Sequence, residues 1–485
     1  MLSDFQRKVI VMKLKDLMLN CPEKFGEINV TGVTDDSRKV LKGNLFICVK
    51  GPVSDGHDYA NKALESGAAV IITERDLKLE NQIIVDDTHK VLAEVCGNWF
   101  GNPQKKLRVV GVTGTNGKTS VCYMLKKILE HSGYKTGLLG TVQNMIGDEI
   151  YPSKNTTPGV HELYSLFAKM VEAGCEYAVM EVSSHALDQR RVEGVHFAAA
   201  IFTNLTQDHL DYHGNMENYF KAKKLLFSLC DIAVINFDDE FGKRLIGNNS
   251  CREATYSAES NESTYTAKSI NYRPNGIDYE MVGFGLIGRV KLKIAGKFSV
   301  YNSLAAAVCA KELGMPLNEI TDALNSLEGD KGRAEVVPSD RDFTIIIDYA
   351  HTPDGLQNIL NTFKECPKNR LVVLFGCGGD RDRTKRPKMG AVAARLADYV
   401  IVTSDNPRTE EPSAIIDDIL KGMKDIPTPK KVIENRIQAI NFAISNAKPG
   451  DIIVLAGKGH ETYQIIGTET IHLDEREVIA EALAK

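Results

Sequence analysis

Residues 112–120, VTGTNGKTS, carry the makings of a phosphate-binding loop, lying directly after the apolar run 107–110 and before a helical pattern. Gly114 and Gly117 let the backbone turn tightly and aim its N–H groups inward, Lys118 supplies a point charge for phosphate oxygens, and Thr119 can reach a magnesium ion. Thr115, Asn116 and Ser120 complete the candidate nucleotide contacts. The strict spacing GxxxxGK(S/T) would need its first glycine at Val112, so this is a variant loop, and its neighbours must decide the chemistry. Without a ligand the same residues would be a glycine-rich surface turn.

Other chemistry-bearing residues recur at comparable places. Glu181 closes an apolar run, where a carboxylate could hold magnesium directly or through water. Asn204, Asp208, His209 and His213 gather in TNLTQDHLDYHG after the next run. The segment 219–227, YFKAKKLLF, has the pattern of an amphipathic helix with a basic face, and Lys221, Lys223 and Lys224 could meet small anions.

The elements that must position these residues follow from hydrophobic patterning. After residue 107, apolar β-branched runs alternate with longer helical patterns, which predicts an α/β fold with mostly parallel sheets covered by helices. The runs are 108–114, 177–181, 197–205, 232–237, 343–349, 371–376, 399–403 and 452–456. Nearly all lead straight into polar or glycine-rich residues: TGTNGKT, EVSSH, TNLTQDH, NFDD, DYAHTPD, GCGGDRD, SDNPR and AGKGHE. Ligands of open α/β sheets bind outside the carboxyl ends of strands, so these eight ends predict two facing sites. Turn-rich breaks at 101–106 and 329–333 divide the chain into 1–103, 104–333 and 334–485. Alternation in TYTAKSINY and RVKLKIAG predicts antiparallel strands appended to the central domain.

Composition bounds the answer. The 485 residues are too many for one core, and three domains fit best. Hydrophobic and charged contents of 43% and 25% are those of a globular protein. A net charge of −5 argues against a general nucleic-acid binder. Ten cysteines without a CxxC pair, and charges that interrupt the first apolar run, predict a reduced cytoplasmic protein. No segment reaches the roughly 20 apolar residues of a membrane span, and no repeat is visible. Cys377, in GCGG, reads as a small turn residue.

Taken together, TGTNGKTS, EVSSH, TNLTQDHLDYHG, the AKxxLF spacing, GKFSVYNSLAA, DYAHTPD and GGDRDRTKRP resemble the Mur ligases, through all three modules and in their order. The resemblance implies a small N-terminal α/β UDP-binding domain, a central P-loop ATPase-like domain and a C-terminal Rossmann-like domain. It implies an ATP-dependent amide ligase of peptidoglycan synthesis, most like the one that adds the third amino acid to UDP-N-acetylmuramoyl-L-alanyl-D-glutamate. The D-glutamate γ-carboxylate attacks the γ-phosphate of ATP, and an amine displaces phosphate from the acyl phosphate. A carboxylate is a poor electrophile, and phosphorylation supplies its leaving group, with Lys118 and two magnesium ions stabilising the transferring charge.

The family pattern also carries residue roles. Lys223 matches a carbamylated lysine, a change that turns a cation into an anion able to hold magnesium. Thr119, Glu181 and His209 match the other metal positions, and Lys118, Lys223 and His209 the catalytic ones. Asn302, Arg333, Asp348 and His351 match positions that hold ATP or close the C-terminal domain over it, although Asn302 could be a helix cap and Asp348 a strand-end turn residue. Ser37 of DDSR matches a UDP-sugar contact. Thr156, Thr157, Ser183, Gln189 and Arg191 match contacts to the muramoyl dipeptide, with helix capping as the alternative for the threonines. A monomer, with no nucleic-acid or membrane partner, is expected.

The amino acid added is written in SDNPRTEEP. Asp405, Asn406, Pro407 and Arg408 look like the form found in ligases that add meso-diaminopimelate, whose distal carboxylate an arginine can pair bidentately and which lysine lacks. Arg381, Gly457 and Glu461 match the remaining contacts. The rivals are a lysine-adding ligase of the same family, more remotely a folylpolyglutamate synthetase, and, from another class, a nucleotide-binding regulator or kinase. The N-terminal module and DNPR speak against the synthetase. A regulator would need neither eight polar strand ends nor a third domain.

Overall fold

The computed structural model describes residues 11–51, 54–273, 276–328, 332, 334–364, 366 and 368–484. They form two compact units. The first takes the described chain up to Thr266 with Gly283–Gly285 and Tyr301–Ala323; the second takes Ala267–Val282, Leu286–Val300 and the described chain from Leu324 onward. Of the expected break at 329–333, only Gly332 is among the described residues.

After a short antiparallel pair, Met12–Lys13 with Asn29–Val30, the first unit has a parallel sheet whose strands Gly32–Thr34, Asn44–Ile47, Val70–Thr73 and Gln82–Ile84 lie in chain order. Its two middle strands are buried along their whole length, as parallel strands covered on both faces must be. The helix Thr88–Trp99, capped by the Asp87 carboxylate on the Lys90 N–H, sends Leu92, Val95 and Cys96 into the core that also holds Tyr164 and Phe167 of the helix Val160–Glu172. The N-terminal strands and the nucleotide-type sheet therefore share one core. The turn at 101–106 is folded: Asn102 is left-handed at φ 54, and its N–H donates to Gly97 O at 2.6 Å.

The larger sheet of this unit runs 149–151, 144–146, 136–139, 177–181, 108–113, 197–202, 232–236, 252–257, and is parallel from 136–139 onward. The chain enters at its centre, moves to one side, then crosses to the other, so strand order reverses beside 108–113, where such sheets bind ligands. The next strand begins with Tyr265 and Thr266 paired parallel to Tyr256 and Ser257, where alternation alone pointed to antiparallel strands. The intervening turn is gathered by Asp238, which accepts from the Ala258 and Glu259 N–H groups and so returns the chain in the same direction.

In the second unit the strands Glu335–Val337, Thr344–Asp348, Ile452–Ala456, Leu371–Phe375, Tyr399–Val402 and Lys430–Val432 form a sheet in that order, parallel except for the first pair. The two-residue period decides its layers. Ile346, Val373 and Val454 face the helices Pro353–Lys364, Lys385–Leu396 and Pro412–Lys421, while Ile345, Ile347, Leu374 and Ile453 face Arg436–Ser445 and Glu475–Leu483. All eight runs marked in the sequence are strands. Among the described residues no helix is long and apolar enough to cross a membrane.

Candidate active site

The strand Arg108–Thr113 delivers the loop to the centre of the sheet, and the helix Lys118–His131 carries the chain away. Gly114 stands at φ 150 and Gly117 at φ 86. A Cβ on the first would lie 1.9 Å from Thr203 Oγ1, and on the second 2.4 Å from Asn302 Oδ1, so only glycine fits either place. The neighbouring strand end clamps the loop. Thr115 N–H donates to Asn204 O at 2.9 Å, Asn116 N–H to Asn204 Oδ1 at 3.0 Å, and Thr203 Oγ1 to Asn116 O at 2.6 Å. No side chain caps the helix, so the N–H groups of its first turn, at Lys118, Thr119 and Ser120, have no intrahelical partner and offer the positive end of the helix dipole to an anion. Asn302 lies inside the helix Lys297–Glu312 and covers Gly117; it is not a cap.

Two amines converge on one carbonyl oxygen. Lys118 Nζ donates to Gly114 O at 3.0 Å and Thr115 O at 2.9 Å, and Lys223 Nζ donates to the same Gly114 O at 2.8 Å. Burial pushes both below the usual lysine range, and the charge of Lys118 depresses the 1% exposed Lys223 further. Glu181 ends its strand buried beside them and accepts from Thr119 Oγ1 at 2.9 Å, Thr141 N–H at 2.9 Å and Thr141 Oγ1 at 3.0 Å. A buried carboxylate and a hydroxyl are hard oxygen donors that suit magnesium. Among the described residues no three His, Cys, Asp or Glu side chains gather into a metal-holding group.

His209, left-handed at φ 52, opens the short helix Leu210–His213. Its half-exposed ring lies 4.8 Å from His185 and 6.2 Å from Tyr219, whose ring is 4.7 Å from Lys223 Nζ. His213 is buried, and its Nε2 meets Ser184 Oγ at 2.9 Å. In the helix Met216–Lys224 the basic residues do not form one cluster: Lys223 is buried with Tyr219 and Phe220, while Lys221 and Lys224 line a separate hollow of about 470 Å³. Helical spacing puts Lys221 and Lys224, three positions apart, on one face and Lys223 on another.

The residues matched to the dipeptide come together at the ends of 136–139 and 177–181. Thr141 Oγ1, which donates to Glu181, lies within hydrogen-bond distance of Thr156 Oγ1, at 3.0 Å. Thr157 Oγ1 donates to Glu181 O at 2.9 Å and accepts from Ser183 N–H at 3.0 Å. Arg191 reaches Thr157 O at 3.2 Å and Gln189 Oε1 at 2.6 Å. Ser183 caps the helix Ser184–Asp188, whereas the helix after the threonines is capped at Gly159, so neither Thr156 nor Thr157 is a cap. Ser37 begins a short turn capped by Asp36, and the charges of Asp35 and Lys39 beside it act on the partly buried His161 at the start of Val160–Glu172. The sequence reading missed Thr141, Thr203 and Tyr219. Thr141 was findable as another polar strand end, but its strand TGLL carries a glycine and no β-branched run.

Asp348, His351 and the amino-acid candidates belong to the second unit. Asp348 accepts from Ala334 N–H at 2.7 Å and Ala350 N–H at 2.8 Å. His351 is exposed, with its ring 4.7 Å from Tyr349. Arg333 lies outside the described residues. Asp405, Asn406 and Pro407 are buried after Tyr399–Val402, and Asp405 Oδ2 has no hydrogen-bond partner among the described residues. A Cβ on Gly457, which stands at φ 117, would lie 2.7 Å from that oxygen. Asn406 Nδ2 donates to Glu461 Oε2 at 3.0 Å, and the buried Lys458 donates to Asn406 Oδ1 and Glu461 Oε2, both at 3.1 Å. Lys458 was not singled out in the sequence, although AGKGHE was. Arg408 Nη1 donates to Gly379 O at 2.7 Å, and both it and Arg381 Cγ come within 3.8 Å of the place a Cβ on Gly378 would take. Cys377 packs on Met389, and burial pushes its thiol up to about 12, in keeping with a small turn residue.

Three family models match this chain: the Mur ligase family catalytic domain over residues 29–100, the Mur ligase middle domain over 112–310 and the Mur ligase glutamate ligase domain over 332–459. A UDP-N-acetylmuramoyl-L-alanyl-D-glutamate--2,6-diaminopimelate ligase of Clostridium botulinum is 47% identical over 456 residues, 92% of this chain and 94% of its own length. Its namesake in Bacillus velezensis is 45% identical over 95% of this chain and 96% of its own. A solved structure of a ligase of that name superposes with a TM-score of 0.82 at 32% identity, covering 98% of this chain and 99% of the other. Folylpolyglutamate synthase of Mycobacterium tuberculosis shares the fold, at 0.56 and 19% over 76% of this chain and 92% of its own. Matched in all three segments, and alike over nearly its whole length to solved and curated ligases, the chain belongs to the Mur ligase family and is one of its ATP-dependent, ADP-forming ligases.

Proposed function

We propose that this ligase joins meso-diaminopimelate to the D-glutamate γ-carboxylate of UDP-N-acetylmuramoyl-L-alanyl-D-glutamate in peptidoglycan synthesis. A γ-carboxylate oxygen attacks the γ-phosphorus of ATP and ADP departs. The amine then attacks the acyl carbonyl, phosphate leaves and the amine loses its proton. Thr156, Thr157, Ser183, Gln189 and Arg191 hold the dipeptide beside Glu181, and Ser37 meets the nucleotide end. The loop 114–120 holds the ATP phosphates, with Lys118 neutralising charge as it moves to the leaving oxygen. Asn302, Arg333, Asp348 and His351 complete the ATP contacts. Thr119, Glu181, His209 and Lys223 as its carbamate would hold magnesium, which would further neutralise phosphate charge.

The carbamate on Lys223 has a physical rationale in the shared carbonyl. A buried amine that loses its proton is the form that adds carbon dioxide, forming an N–C bond and releasing one proton. The product keeps an N–H that can still donate to Gly114 O. It also replaces a repulsion toward Lys118 by an attraction.

The observation that carries the amino-acid assignment is the complementarity of the loop cluster in the second unit. Diaminopimelate has a distal carboxylate and a distal ammonium. Arg408 Nη1 and the stem of Arg381 both border Gly378, and the Arg408 guanidinium is the group suited to pair the distal carboxylate, while Asp405 offers a buried oxygen without a partner among the described residues, and Glu461 stands near it. Phosphate release with ATP, magnesium and the UDP-muramoyl dipeptide tests the reading. Release is expected with meso-diaminopimelate and not with L-lysine or without an amino acid; turnover indifferent to the acceptor would return the chain to the regulator or kinase reading.

A further inference from the structure

Arg408 stands at φ 51, a left-handed conformation that costs energy for a long side chain and persists only where the surroundings impose it. One restraint is its own peptide group. Its N–H donates to Ile465 O at 3.1 Å and its carbonyl accepts from Gly467 N–H at 2.7 Å, which ties it to the hairpin formed by Tyr463–Ile466 and Glu469–His472. The other restraint comes from the glycine-rich turn after Leu371–Phe375. Thr409 N–H and Oγ1 donate to the Asp380 carboxylate at 3.2 and 2.8 Å, and Asp380 N–H donates in return to Glu410 Oε1 at 2.6 Å. Each loop thus presents a carboxylate to the backbone of the other, at the residues directly after Arg408. Asp380 is itself left-handed, at φ 53.

The two backbones also touch just before Arg408. Gly379 N–H donates to Asn406 O at 2.9 Å, and a Cβ on Gly379 would lie 1.8 Å from Pro407 O. Glu410 is fixed from behind. Arg386, 1% exposed, donates to both of its oxygens at 3.0 and 2.8 Å and to Asp418 at 3.1 Å, and Arg383 pairs with it at 2.9 Å. The Arg386 hydrogen bonds, followed by that of the Asp380 N–H, hold the Glu410 carboxyl down at about 2, so the charge persists at any pH where the protein works.

We infer that Asp380 and Glu410 form a cross-loop latch that aims Arg408, and are positioning residues through which the enzyme selects an amino acid bearing a second carboxylate. The inference rests on the role proposed above for Arg408. It is a claim about selectivity: loosening the latch weakens recognition of the distal carboxylate and leaves ATP use untouched.

The test is kinetic and uses Asp380→Gly, which keeps the left-handed backbone allowed and removes the carboxylate, with Glu410→Gln as a second variant and Arg408→Ala as the reference. Losing charge-assisted hydrogen bonds to the loop should raise KM for diaminopimelate roughly tenfold. KM for ATP should stay within twofold, and the preference for diaminopimelate over lysine should fall by the same factor. Because the latch acts through Arg408, the double variant Asp380→Gly/Arg408→Ala should be no worse than Arg408→Ala alone. Additive losses, equal effects on ATP and diaminopimelate, or an unchanged preference in both latch variants would overturn the latch while leaving the role of Arg408 standing. If Arg408→Ala itself leaves KM for diaminopimelate unchanged, the reading beneath fails and the latch falls with it. Should Asp380→Gly lower the melting temperature sharply, Glu410→Gln decides by the same three readouts.

Discussion

The phosphate loop and the amino-acid loops solve the same problem, holding polar groups at strand ends, by opposite means. Around Gly114 the site is held by hydroxyls, amides and backbone, and its two lysines are crowded onto one carbonyl oxygen with their charges suppressed by burial. Around Arg408 it is held by ionised pairs: Glu410 with Arg386 and Arg383, Lys458 with Glu461. The first arrangement keeps charge in reserve for a phosphoryl group that brings its own. The second has its charge fixed in place to discriminate one zwitterion from another. Reactivity and selectivity are thus built from different interactions, and substitutions should separate them.

The largest effect should come from the reserve charge. Lys223→Ala should lower kcat about a thousandfold, the scale of losing a group that acts only on developing charge, and short carboxylic acids should restore part of it. Full activity without rescue would remove the carbamate from the account. Lys223→Met should be equally inactive yet melt no lower than the parent, because the cost of burying an amine that faces Lys118 offsets its hydrogen bond to Gly114 O. Glu181→Gln comes next, at about a hundredfold in kcat, with added magnesium recovering part of the loss; a change confined to KM for the dipeptide would assign Glu181 to substrate instead.

Turning to the fixed charges, Arg408→Ala should raise KM for diaminopimelate roughly thirtyfold and spare ATP, a split absent from the Lys223 and Glu181 variants. The smallest effect is on stability. Glu410 has a folded value near 2 against an ordinary 4.5, so its contribution is present above about 4.5 and is lost as pH falls toward 2. Glu410→Gln should therefore lower the neutral plateau of an unfolding profile slightly and flatten its acid limb between these values, while an unaltered plateau and limb would show that the carboxylate is not held as described.

The same contrast explains what the sequence made legible. The phosphate loop is contiguous, from Gly114 to Ser120, so residue types and order sufficed to find it. Glu181 and Asn204 followed from the rule that ligands meet the carboxyl ends of strands. Thr141 escaped because its strand is short and carries Gly137, and the division of Lys221, Lys223 and Lys224 among faces needed the helix itself. The parallel start of the strand at Tyr265 turned on a turn gathered by Asp238, a contact between residues about 20 apart. The latch was out of reach for the same reason: Asp380 and Glu410 lie 30 positions apart and meet only because two parallel strands end side by side.

The most direct test is a competition. With equal meso-diaminopimelate and L-lysine, ATP, magnesium and UDP-N-acetylmuramoyl-L-alanyl-D-glutamate, the mass of the nucleotide-linked product is measured for the parent protein and for Arg408→Ala. The account predicts the diaminopimelate tripeptide alone from the parent and a mixture from the variant. Lysine incorporated by the parent at a comparable rate would contradict it.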